Sequence, residues 1–212
     1  DLHSFPTRRS SDLRTCALAA IGQEKGERIF YATAKTTNAF AAEKAAYLLR
    51  QRGAVFKSVT LTAKDAVCFL EKRECNPDAC PYAAHYYDRA GVVVYEALHR
   101  HDHFDRSQIE ALARDYALCP FELSLDLADW CDMIIGDYNY LFDPHIALER
   151  LSGPKNDFGQ TIALIDEAHN LPDRARGMFS AAIYKADALA VRRTISRSEE
   201  HTSELQSHEL IS

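Results

Sequence analysis

One run in the chain restricts the possible folds more than any other: Thr161-Ile162-Ala163-Leu164-Ile165, followed at once by the carboxylates Asp166 and Glu167. A strand with one wet face alternates polar and apolar residues. A continuous apolar run instead fits a strand buried on both faces, the usual state of a parallel sheet covered by helices. Two acidic residues directly after such a strand fall at its carboxyl end, where parallel α/β sheets bind their ligands.

The rest of the pattern agrees with an α/β fold. Residues 28–32 form a short β-rich run, and residues 38–52 are Ala-rich and stop at Gly53, a helix terminator. Residues 54–61 alternate and carry β-branched side chains, which predicts a second strand. Strand, helix and strand in this order suggest a βαβ unit with parallel strands. Met133-Ile134-Ile135 is another short apolar run. Residues 63–130 between them show little strand character. Helices are expected over 81–99, with a weak point at Gly91, from a capping box at Ser107-Gln108-Ile109-Glu110 to about Leu118, and from Pro120 to about Asp129. The histidines among residues 99–103 read as a solvated, charged linker. Residues 152–160 are loop by composition, and residues 184–195 are a helix candidate.

Composition excludes several classes. The apolar runs are far too short to span a bilayer, and the N-terminus has no signal-peptide core, so a cytoplasmic protein with no membrane partner is expected. Six cysteines in such a chain point to metal or redox chemistry rather than a disulfide framework. Both ends are foreign in character. Residues 3–13 (HSFPTRRSSDL) and 197–208 (RSEEHTSELQSH) are polar and aperiodic, and resemble conceptual translations of sequencing adapters. A pair of disordered tails is the alternative. On the adapter reading, residues 1–13 and 197–212 are artefact, and their removal changes the net charge from −6 to −3. That balance does not announce a nucleic-acid binder, although a mean charge can hide a local basic groove.

Phosphoryl transfer from a nucleotide needs a hard cation on the phosphates and a group that orients and deprotonates the attacking water. Asp166 suits Mg²⁺, held through water, and Glu167 suits the general base. His169 is close enough to link such a site to neighbouring elements. The competing reading is a plain helix start with Asp166 as N-cap.

Cys68, Cys75, Cys80 and Cys119 are spaced C-x6-C-x4-C-x38-C. Four thiolates are the usual complement of an iron–sulfur cluster, and Cys80 and Cys119 are each followed by proline, as in the closing cysteine of many cluster sites. A structural zinc site uses the same donors, and the lack of a C-x2-C pair weakens it without removing it. Cys131 adjoins an apolar run and reads as a core cysteine, while Cys16 stands outside the pattern.

The segments VCFLEKRECNPDACPYA, CPFELSLDLADWCD, GDYNYLFDP and LIDEAHNLPDRAR, in that order after a TAKT segment, resemble the XPD/DinG-like iron–sulfur DNA helicases in their bacterial branch. The resemblance covers nearly all of residues 28–180. It implies a partial RecA-like motor domain in two stretches, 14–62 and 131–196, around a mainly helical cluster insertion at 63–130. It implies that Thr33, Lys35 and Thr36 contact the DNA backbone, and that Cys68, Cys75, Cys80 and Cys119 ligate a 4Fe–4S cluster. Asp166, Glu167 and His169 then form the Walker B and DEAH motif for ATP and Mg²⁺. The implied activity is ATP-driven 5′ to 3′ movement on single-stranded DNA and unwinding of forked DNA, with DNA repair as the setting. Basic and aromatic residues are available for a strand channel in Arg89, Arg100, Arg106 and Arg114 and in Tyr82, Tyr86, Tyr87 and Tyr95. The chain contains no G-x-x-x-x-G-K-[ST] loop. It therefore reads as an inactive fragment of a longer helicase without its phosphate loop and second motor domain. Two other functions stay open: a non-catalytic metal-binding nucleic-acid module, and a nuclease using Asp166 and Glu167 directly. Protein partners are unknown.

Overall fold

Alternation along β1 (Arg28–Thr33) decides the layering of the molecule: Ile29 and Tyr31 point into one core, Phe30 and Ala32 into another. A strand can do this only with helices on both sheet faces. The computed structural model describes residues 28–34, 36–143, 161–180, 185–187 and 189–195, and of residues 36–38 the backbone alone. In chain order β1 is followed by α1 (Thr36–Gln51), β2 (Ser58–Thr60), α2 (Lys64–Val67), α3 (Tyr86–Arg100), β3 (His103–Phe104), α4 (Arg106–Asp115), α5 (Pro120–Ala128), β4 (Met133–Asp137), α6 (Asn139–Phe142), β5 (Thr161–Ile165) and α7 (Leu171–Met178). A 3₁₀ turn (Ala168–Asn170) joins β5 to α7. The strands form one sheet in the order β3-β2-β4-β1-β5, with every pairing parallel. This is a partial RecA-like α/β domain.

α1 covers one face. It buries Ala39, Ala42, Ala45, Ala46 and Leu49 against Ile29, Tyr31, Met133 and Ile135. The small alanines let the helix lie close to the sheet, and Gly53, at φ +91°, ends it in the left-handed conformation that glycine tolerates. The opposite face is covered by α3, α4 and α5. Val93, Ala97, Ile109, Leu118, Leu123 and Leu127 share one core with Phe30, Val59, Leu61 and Ile134. Each such large apolar side chain contributes roughly 1.5–3 kcal/mol on burial. The helices between β2 and β4 thus belong to the same packed core as the strands.

Several expected features changed in the structure. The strand expected over 54–61 pairs only across Ser58–Thr60. Lys57 is occupied elsewhere: its carbonyl accepts from Asp132 and Met133, and its amide donates to Asp132 Oδ2 at 2.7 Å. β1 and β2 are parallel but not adjacent, because β4 lies between them. The helix expected over 81–99 begins only at Tyr86, after a left-handed His85. His103 is not linker, since it pairs with Ser58 in the ladder. The capping box at Ser107 is also corrected. Asp105 caps α4, accepting the Gln108 amide at 2.9 Å, and the Ser107 hydroxyl donates to Asp105. An anionic carboxylate is a stronger acceptor than a hydroxyl at a helix start. β5 is not buried on both faces. Among the described residues it is an edge strand, as β3 is at the other side, and it is only half-buried, with Ala163 exposed.

The chain divides into two compact units at Met178 and Phe179. The second unit is helical at 185–187 and 189–195, within the expected stretch 184–195. The loop expected at 152–160, Cys16, and residues 1–13 and 197–212 lie outside the described residues. No helix among the described residues is long and apolar enough to cross a membrane.

Candidate functional site

The parallel register brings the carboxyl ends of β1, β4 and β5 side by side. Thr33 pairs with Asp137 and Ala32 with Ile165. The chain reverses its direction of travel across the sheet here, since β2 and β3 lie on one side of β1 and β5 on the other. Such a switch point opens a crevice beyond the strand ends.

Asp166 is fixed by its backbone: its amide donates to Ala32 O at 2.9 Å, and its carbonyl accepts the Tyr138 hydroxyl. Tyr138 is fully buried and also ties its own amide to Thr33 O at 3.2 Å. Burial, and next the charge of Asp166, push the Tyr138 phenol above its ordinary pKa, so it stays a neutral donor. Glu167 holds φ +52°, a strained backbone for a residue with a Cβ. Its carbonyl accepts the Asn170 amide at 2.9 Å, which closes the 3₁₀ turn, and its Oε2 lies 3.3 Å from His169 Nδ1. Asp166, Glu167 and His169 thus stand together directly after β5. The strained turn was not legible, because no glycine marks it.

Arg174 of α7 reaches back under this turn. One Nη2 donates to Ala34 O at 3.1 Å and to Asp137 Oδ2 at 3.0 Å. Sequence reasoning missed Arg174, since its partner Ala34 lies 140 residues away.

A cleft of about 730 Å³ opens over the strand ends between β1, β2, β4 and the segment after α2. Its wall includes Thr33, Thr60, Thr62, Lys64, Arg73 and Asn139. Asp65 and Asp137 line it as well, and the two cations are paired, Arg73 with Asp65 and Lys64 with Glu122. Gly136 lines the cleft, and a Cβ there would stand 3.1 Å from Tyr140 Cδ2 and 3.2 Å from Phe30 Cζ. Of the three residues expected to contact DNA, Thr33 is buried at the cleft, while Lys35 and the side chain of Thr36 lie outside the described residues.

The cysteine-bearing segments converge, but their thiols do not. Phe69, beside Cys68, packs edge-on against Tyr82 at 5.0 Å, and the Arg114 guanidinium covers the Phe69 ring at 4.0 Å. Asn76 Oδ1 accepts the amides of Asp78 and Ala79 at 3.1 and 2.8 Å, shaping the turn between Cys75 and Cys80. Cys75 is exposed, Cys80 buried, and Cys68 and Cys119 in between. Among the described residues, no group of three or more His, Cys, Asp or Glu side chains is gathered to hold a metal. Cys119 precedes α5. Burial pushes its thiol up, against the Glu122 and Phe121 amides and Lys64, which pull it down. Lys64 pairs with Glu122 at 3.1 Å and lies over the Phe121 ring. Burial pulls its pKa down, but Glu122, Cys75 and Cys119 more than offset that. Cys131 is a core residue, 2% exposed, and burial pushes its thiol up to about 12.

Of the residues considered for a strand channel, Tyr86 is buried and bonded to Asp126 at 2.7 Å, and Arg89 is held by the carbonyls of Ala84 and Ala117. Both serve packing. Tyr87 and Tyr95 are exposed.

The DEAD_2 family model matches residues 50–188. The chain is similar to the "Regulator of telomere elongation helicase 1 homolog" of Anopheles gambiae, at 32% identity over 93 residues, covering 43% of this chain and 9% of that protein. It is 31% identical over 108 residues to the "Fanconi anemia group J protein homolog" of Gallus gallus, covering 51% of this chain and 8% of that protein. It is 31% identical over 101 residues to the "General transcription and DNA repair factor IIH helicase subunit XPD/RAD3" of Saccharomyces cerevisiae, covering 48% of this chain and 12% of that protein. The matched region is therefore a small part of each relative. With a parallel sheet, a carboxylate box at its carboxyl end and a family model over most of the chain, the protein belongs to the DEAD_2 family.

Proposed function

We propose that this chain is part of the first motor domain of an ATP-dependent DNA helicase of the XPD/DinG-like iron–sulfur type, in its bacterial branch. The observation that carries the reading is the meeting of Asp166 and Glu167 with Thr33 at adjacent strand ends. A hydrolytic site and a strand-contacting turn then share one rigid edge, which is what a motor requires.

The residues present fit Mg²⁺ and ATP, since two carboxylates follow a parallel strand at a switch point. Bound there, the cation would neutralise phosphate charge. Asp166 would hold it through water, with its main chain anchored by Ala32 and Tyr138. Glu167 would accept the proton of the attacking water. His169, 3.3 Å from that carboxylate, would orient it. Thr33, Lys35 and Thr36 would contact the strand backbone, with the cleft beside Thr33 as its path.

The donor set also fits a 4Fe–4S cluster held by Cys68, Cys75, Cys80 and Cys119. Residues 71–79 are exposed without regular structure, so this loop has little core of its own to order it. The Phe69, Tyr82 and Arg114 contacts bring three of the four segments together, and amides face the Cys119 sulfur. The cluster would order the loop that borders the cleft. We read residues 1–13 and 197–212 as adapter-derived and the parent as cytoplasmic, acting in DNA repair.

The test is strand displacement by the protein encoded by the uninterrupted reading frame, with ATP and Mg²⁺, on forks carrying either a 5′ or a 3′ loading strand. Unwinding from the 5′ strand is expected. Cleavage of the DNA without nucleotide, or binding without any displacement, would contradict the reading.

A further inference from the structure

The geometry points to Arg174 as a positioning residue that couples the carboxylate box to the DNA-facing turn at Ala34, an inference that rests on the helicase reading above. Its guanidinium spans three elements: it stands on α7, and its single Nη2 donates to Ala34 O at 3.1 Å and Asp137 Oδ2 at 3.0 Å. Ala34 lies between Thr33 and Lys35, so this bond holds the turn by its main chain. α7 is joined to the carboxylates by only a 3₁₀ turn that begins at the left-handed Glu167. The Glu167 carbonyl closes that turn through Asn170. A backbone rotation at Glu167 on cation or nucleotide binding would therefore move the start of α7, and Arg174 would carry that movement to Ala34.

The pair is suited to a switch rather than to a fold anchor. Both side chains are partly exposed, at 40% and 36%, and a pair in that setting adds little to stability. Tyr138, by contrast, is fully buried and holds Thr33 and Asp166 whatever Arg174 does. Loss of Arg174 should leave the box in place and disconnect it from the turn.

The experiment uses the intact motor with Arg174→Gln and Arg174→Lys, numbered as here. Three quantities are read: ATP turnover without DNA, turnover with oligo-dT, and oligo-dT affinity with and without a non-hydrolysable ATP analogue. Coupling between sites is reciprocal, so the nucleotide effect on DNA affinity reports it directly. For Arg174→Gln we expect turnover without DNA within about twofold of wild type and DNA stimulation reduced about tenfold, inside the usual range for coupled sites. The nucleotide should then no longer change oligo-dT affinity, and the melting temperature should be unchanged. Arg174→Lys keeps the charge and a donor, and should restore at least half of the stimulation. Stimulation intact in Arg174→Gln, an equal fall in both turnovers, or no recovery in Arg174→Lys would each overturn the inference. Absence of DNA-stimulated turnover in the wild type would instead overturn the helicase reading itself.

Discussion

The Tyr138 hydroxyl donates to the main-chain carbonyl of Asp166, so a side chain at the end of β4 holds the first residue of the carboxylate box. The same tyrosine binds Thr33 O through its amide. Tyr138→Phe should leave a partly buried carbonyl without this donor, at a cost of about 1–3 kcal/mol. Urea unfolding of the 212-residue chain measures it. An unchanged midpoint would show that the hydroxyl does not support the box.

The cap of α4 gives a second, contrasting pair. Asp105→Ala should destabilise the protein by about 1 kcal/mol, since it removes the acceptor of the Gln108 amide. Ser107→Ala removes only a hydroxyl that bonds to Asp105 and should change stability by less than about 0.5 kcal/mol. Equal effects in thermal melts would restore Ser107 as the cap.

That helix illustrates what was legible beforehand and what was not. Apolar runs announced β1, β4 and β5; for β1 and β4 this is because both sheet faces are covered and such strands have no polar side. β3 was invisible: two residues in a histidine-rich stretch carry no period, and His103 joins the sheet only because β2 offers an unpaired edge. The edge position of β5 was hidden for a different reason, since an apolar run reads alike at the centre and at the margin of a sheet. At the site, the order of Asp166, Glu167 and His169 after a strand was readable from local sequence. The hold of Arg174 on Ala34 was not, because contacts between distant segments leave no local pattern.

Alkaline stability should report Cys131. Burial pushes its thiol from an ordinary 9.0 up to about 12. A raised pKa in the folded protein contributes stability that is fully present below the unfolded value and is lost as the pH rises from there through the folded value. Between pH 8 and 10.5 this group should account for a loss of about 1–2 kcal/mol. Cys131→Ala should show a correspondingly flatter decline by urea unfolding at the two pH values. A variant that declines as steeply as wild type would show that the thiol is not held neutral.

Metal content separates the two chemistries open to Cys68, Cys75, Cys80 and Cys119. Anaerobically prepared protein should be brown, with about four irons and four sulfides per chain, and serine at Cys119 should remove the colour. Stoichiometric zinc without labile sulfide would replace the cluster by a structural zinc site.

The carboxylate box itself is tested most directly by ATP hydrolysis with and without single-stranded DNA. The 212-residue chain, which has no G-x-x-x-x-G-K-[ST] loop, should show none. On the proposed reading, a helicase that carries this domain together with a phosphate loop should hydrolyse ATP with strong DNA stimulation, and Glu167→Gln should lower turnover by about 10²-fold or more while leaving nucleotide binding intact. Equal turnover in wild type and Glu167→Gln, or turnover indifferent to DNA, would contradict the account.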